Sequence, residues 1–140
     1  MRTFFLIAVL LLVSCAQNQE KPTVVIEKNS SRQTSEMATL MLQMFEVNMQ
    51  HKELISNGEA VKGNPNQFTN IYTAKFTDPT EEKPNFEAYA DLYMDNFKKV
   101  FEAQDDLLKQ QHNNVIQSCI ACHQTTCPGP ISKIKKLILP

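Results

Sequence analysis

"LKQQHNNVIQSCIACHQTTCPGP" (residues 108–130) decides the fold. Leu108, His112, Val115, Cys119 and Cys122 advance by steps of 4, 3, 4 and 3, one face of a helix of 3.6 residues per turn. Pro128 and Pro130 flank Gly129, and neither proline tolerates a helix interior, so the helix must stop at Cys127-Pro128. The same stretch crowds three of the chain's four cysteines and one of its three histidines into its last two turns.

Working outward, the same period recurs. Phe86, Ala90, Tyr93, Phe97, Val100 and Gln104 mark a helix just before this one. Neither Gly nor Pro separates the two, and the turn is expected near Ala103 to Asp106, with Asp105 or Asp106 as cap. Pro84 suits the first turn of the earlier helix. Further upstream, Met37, Leu40, Met41, Met44, Asn48, His51 and Ile55 define another helix, with Thr34 or Ser35 as N-cap and Gly58 as C-terminal cap. Phe68, Ile71, Tyr72, Lys75 and Phe76 predict a shorter helix between "KGNPNQF" and "TDPTEEKP". Ile131, Ile134, Leu137 and Ile138 predict a short helical tail folding back. No strand alternation competes and no internal repeat is evident. Four helical patterns with short connections predict an all-α protein, an antiparallel four-helix bundle over residues 32–140. A core of this size is marginal by surface-to-volume scaling, and a covalently held apolar cofactor would add buried area.

Cys119-Ile120-Ala121-Cys122-His123 is a C-x-x-C-H sequence, the pattern of c-type haem attachment. On a helix, residues i and i+3 lie about 60° apart around the axis, so both thiols leave from one side to meet two porphyrin vinyl groups. His123, four residues after Cys119, shares that side and can ligate the iron. Haem c, one per chain, is the expected cofactor. Three other chemistries fit the residue types. Cys119 and Cys122 could form a structural disulfide or a redox dithiol, although the latter normally sits in a βαβ context. Cys119, Cys122, His123 and Cys127 together make a four-ligand zinc set, but spacings of 3, 4 and 8 on one straight helix wrap a tetrahedral ion poorly. Cys127 has no partner under the haem reading. It is either a buried thiol at the helix end or a surface thiol able to link two copies in a homodimer.

The first 14 residues read as a leader: Arg2 precedes an apolar run from Phe4 to Val13, too short to span a bilayer. "LVSC" (12–15) resembles the lipobox of bacterial lipoproteins, which implies that Cys15 carries the lipid anchor. Residues 15–31 then form a polar linker carrying Pro22. These features predict a mature protein outside the cytoplasm, periplasmic or in the cell envelope, tethered to a membrane by its lipid. Loss of Arg2 leaves 13 basic against 15 acidic residues, which argues against a nucleic-acid partner.

A haem motif at the end of the last helix of a bundle resembles the cytochrome c-prime group, over about residues 32–127. That group often has an aromatic and a basic residue after the histidine, where this chain has Gln124, Thr125 and Thr126. The resemblance implies one of two functions. A methionine on the first helix gives a six-coordinate electron carrier; an apolar residue there gives a five-coordinate protein that binds nitric oxide or carbon monoxide. Met37, Met41 and Met44 share one helical stripe, and Met41 is the expected distal ligand, with Met44 and then Met37 as alternatives; Leu42 lies close in the same count. Without the haem motif, a methionine stripe would be read as core packing.

The resulting expectation is a lipid-anchored monohaem electron carrier rather than an enzyme, since no acid/base pair or nucleophile constellation is visible. A gas-binding haem protein and a structural zinc or disulfide lipoprotein are the alternatives. His112 is expected as a partly exposed helix residue among Gln111 and Asn113, and His51 as a partner of the first helix's C-terminal dipole. Lys133, Lys135 and Lys136 form a small basic patch that could steer an acidic redox partner.

Overall fold

A computed structural model describes residues 34–80 and 83–140; the leader, Cys15 and the linker lie outside them. The described chain is all-helical: α1 (Glu36–Ser56), α2 (Phe86–Glu102), α3 (Asp105–Thr126) and the short α4 (Ile131–Ile134) pack together. Two 3₁₀ turns, Thr69–Tyr72 and Lys135–Leu137, complete the elements, and there is no strand among the described residues. No helix among them is long and apolar enough to cross a membrane.

Each long helix starts and stops where local chemistry demands. Ser35 caps α1: its Oγ accepts from the Ala38 N–H at 3.1 Å, a bond that contributes about 1 kcal/mol. At the other end, Gly58 takes φ +75°. The Gly58 N–H donates to the Ile55 carbonyl and the Glu59 N–H to the Leu54 carbonyl, a paired closure that glycine permits because it has no Cβ to clash. α2 begins after Pro84 and Asn85, and Asn85 adopts the left-handed conformation that asparagine tolerates (φ 61°). Only Ala103 and Gln104, both extended, separate α2 from α3. The cap of α3 is Gln104, not Asp105 or Asp106, and it makes no side-chain capping bond.

The predicted second helix over Phe68–Phe76 is cut down to the 3₁₀ turn. Phe68 and Ile71 are buried as its period requires, but the chain is then diverted. The Lys75 carbonyl accepts from the Met37 N–H at 3.0 Å, and the Lys75 N–H donates to Glu36 Oε2 at 3.1 Å. The first turn of α1 has unpaired amide donors to satisfy, and Lys75 serves it instead of extending its own helix.

α2 makes its largest interface with α3. Phe97 is fully buried at the hub of a ring cluster, with centroids 5.2 Å from Phe68, 5.3 Å from Phe101, 5.6 Å from Tyr93 and 5.6 Å from His51. In the absence of tryptophan, Phe and Met supply the bulk: Met37, Met44 and Met94 are also buried.

The chain after α3 is latched back onto the body. Lys52 of α1 donates to the Lys136 carbonyl (2.6 Å) and the Ile138 carbonyl (3.1 Å). His112 of α3 bonds the Leu137 carbonyl at 3.0 Å. Asn113 donates to the Leu139 carbonyl at 3.0 Å and accepts from its N–H at 2.9 Å. These bonds overturn the expected exposure of His112, which is fully buried. His51 is buried against Phe97 and bonds the Lys62 carbonyl at 3.2 Å.

Candidate functional site

Pro128 shapes the end of α3. A residue before proline is pushed out of the helical region, and Cys127 is extended, at φ −151° and ψ 87°. Its N–H still closes the last turn on the His123 carbonyl at 3.2 Å. Its own carbonyl then turns back to accept from His123 Nδ1 at 3.0 Å, and its sulfur lies 3.2 Å from the same nitrogen. A carbonyl can only accept, so Nδ1 is the donor and, in the neutral ring, Nε2 holds the lone pair. Nε2 has no hydrogen-bond partner among the described residues. A histidine held this way is oriented and tautomer-fixed for metal ligation. The C-P pair at 127–128 was the sequence signal for this arrangement; its consequence for His123 was not read from it.

His123 is buried, Cys119 and Cys122 are half-buried, and Cys127 is exposed. All three cysteines are free thiols. Burial, and then the neighbouring Cys122, push the Cys119 thiol up to about 12. Burial also raises Cys122, partly offset by a contact with the Thr126 hydroxyl. A neutral sulfur is at home in this setting; a bare thiolate is not.

Cys119, Cys122, His123 and Cys127 line a cavity of about 830 Å³, within the range of small-molecule and cofactor sites. α1 contributes Met37, Met41, Met44 and Asn48 to the same cavity. The three thioethers and the C-x-x-C-H sequence, some 75 residues apart in the chain, therefore meet in one space. Met37 and Met44 are buried and Met41 is half-buried, whereas Met49, off the stripe, is 42% exposed. Leu42 also reaches the cavity, from a position 62% exposed. The tail closes another part of the wall with Pro130, Lys133, Ile134 and Leu137. Of the basic patch, Lys133 borders the cavity, and Lys135 and Lys136 are exposed beside it in sequence.

The donor set suits a covalently attached haem. Two sulfurs and an imidazole three and four residues on line the cavity from α3, α1 brings soft axial candidates, and the remaining wall is largely apolar. Asn48 is a site residue that periodicity alone placed in the core. It is buried, lines the cavity, and donates from Nδ2 to the Met44 carbonyl (2.8 Å) and to the Tyr93 hydroxyl (3.2 Å). Burial, and then the nearby Cys119, raise the Tyr93 hydroxyl well above its usual range, partly offset by Asn48. Comparison of the chain with protein-family models, with curated protein sequences and with solved structures finds no match.

Proposed function

We propose that this chain is a monohaem c-type cytochrome, an antiparallel four-helix bundle that carries single electrons outside the cytoplasm. Cys119 and Cys122 would hold haem c through thioethers, and His123 Nε2 would be the proximal iron ligand. Met41 would be the distal ligand, with Met44 and Met37 as alternatives. The haem supplies reversible one-electron chemistry. The chain's own residues supply orientation, through the Cys127 carbonyl on His123 Nδ1, and exclusion of water, through the methionine stripe and the tail. Cys15 would anchor the mature protein to a membrane, and the lysines at 133, 135 and 136 would meet an acidic redox partner.

The observation that carries this reading is the shared cavity: C-x-x-C-H, a tautomer-fixed histidine and three thioethers line the same 830 Å³. A five-coordinate gas-binding protein of the same architecture is the second reading, and Leu42 in the cavity wall favours it. The test is a spectrum of protein matured with its leader. It should be red, with a c-type pyridine haemochrome that survives acid–acetone extraction. A colourless protein carrying stoichiometric zinc would overturn the haem assignment.

A further inference from the structure

Asn48 carries an unanswered acceptor. Its Nδ2 lies 2.8 Å from a backbone carbonyl, which can only accept, so the amide cannot be flipped and Oδ1 is fixed in place. That Oδ1 is buried with no hydrogen-bond partner among the described residues, on a side chain that is 1% exposed and lines the cavity. The Tyr93 hydroxyl beside it accepts from Nδ2 and has no acceptor for its own proton among the described residues. Tyr93 is 3% exposed. A fixed acceptor on a cavity-lining residue and the hydroxyl proton of the buried ring next to it thus sit side by side in largely apolar surroundings. Buried polar groups in this position are ordinarily satisfied.

We propose that Asn48 and Tyr93 form a built site for one small molecule that both donates and accepts, water in the resting protein, held at the edge of the cofactor cavity. The molecule donates to Asn48 Oδ1 and accepts from the Tyr93 O–H. A carboxylate or other aprotic anion does not fit, because it brings a second lone pair against Oδ1. The site lies one turn beyond Met44 on the α1 stripe. Its role, which rests on the haem reading, is to set the reduction potential. The oxidised cofactor carries one more positive charge than the reduced one, and a polar molecule at its edge favours the oxidised form.

A crystal structure of the matured protein tests the site directly. Density for a water, or another protic molecule, within hydrogen-bond distance of both Asn48 Oδ1 and Tyr93 Oη is expected. A dry gap there, or a protein group satisfying Oδ1, would overturn the proposal. Redox titration tests the role. Asn48→Leu and Tyr93→Phe should each raise the midpoint potential, by up to about tenfold in the one-electron equilibrium, or about 59 mV. The double variant should rise no further than the larger single, because both changes release the same molecule. Unchanged potentials, or singles that add, would refute the role. Tyr93→Phe removes one oxygen and keeps the ring packing, so it reports even if Asn48→Leu does not fold. A colourless preparation would count against the haem reading alone, since the density still decides the site.

Discussion

Asn113→Leu should loosen the C-terminal tail without unfolding the body. Asn113 makes two hydrogen bonds to Leu139, at 3.0 Å to its carbonyl and 2.9 Å from its N–H. At about 1 kcal/mol for each neutral bond, their loss costs the closed tail about 2 kcal/mol. With a factor of ten for every 1.4 kcal/mol, local opening should rise by roughly 30-fold. The tail will not detach, because Lys52 still holds Lys136 and Ile138, His112 still holds Leu137, and Ile134, Leu137 and Leu139 remain apolar residues with a buried home. Amide hydrogen exchange is the assay, and Leu139 is its best probe because its own N–H is one of the lost donors. Exchange across residues 134–139 should accelerate by about 10- to 30-fold while the amides of α2 keep their rates. An equal acceleration in α2 would show that the tail and body open as one unit. No acceleration in the tail would show that the Asn113 latch contributes nothing. Either result would refute the reasoning.

Three further outcomes are expected. Met41→Leu nearly conserves volume, so stability should change by less than about 1.5 kcal/mol. It should nevertheless abolish the near-infrared methionine-to-ferric-iron band and admit carbon monoxide; a parent protein that is already high-spin and binds carbon monoxide would refute Met41 as a ligand. Phe97→Ala should cost about 3–5 kcal/mol, because a fully buried ring at the hub of the aromatic cluster is deleted. Urea unfolding checks this, and a loss under about 1 kcal/mol would mean that the cluster does not carry the core. Burial lowers the pKa of both His51 and His112, each partly offset by its carbonyl partner, with His51 and Lys52 adding to the lowering at His112. The unfolded chain therefore takes up protons near the ordinary histidine value of 6.5 that the folded chain refuses. Stability should be complete above that pH and fall as pH drops below it, by up to about 1.4 kcal/mol per pH unit for each imidazole. His112→Gln should flatten that slope in urea midpoints measured from pH 7.5 to 5; an identical slope would exclude His112.

The three long helices and the C-x-x-C-H motif were legible because the chemistry that makes them is local. Ser35, Gly58 and Pro128 act within a few residues of themselves, and the 4, 3, 4, 3 apolar steps depend on helix geometry alone. The methionine stripe was visible for the same reason, and so was its candidacy as a partner of the motif. What sequence could not supply was the identity of partners brought in from far along the chain. The helix expected over Phe68–Phe76 lost its second half because the open end of α1 claimed Lys75. His112 looked like a surface residue among polar neighbours until the tail, 25 residues on, placed the Leu137 carbonyl beside it. Asn48 read as one more position on an apolar stripe. Only packing against α2 showed that its Nδ2 is spent on Met44 and Tyr93 while its Oδ1 is left buried without a partner among the described residues. Periodicity says which face of a helix is buried. A buried polar atom takes its meaning from the donor or acceptor that meets it, and in this protein those groups come from segments up to 86 residues away, as in the Lys52 bond to Ile138.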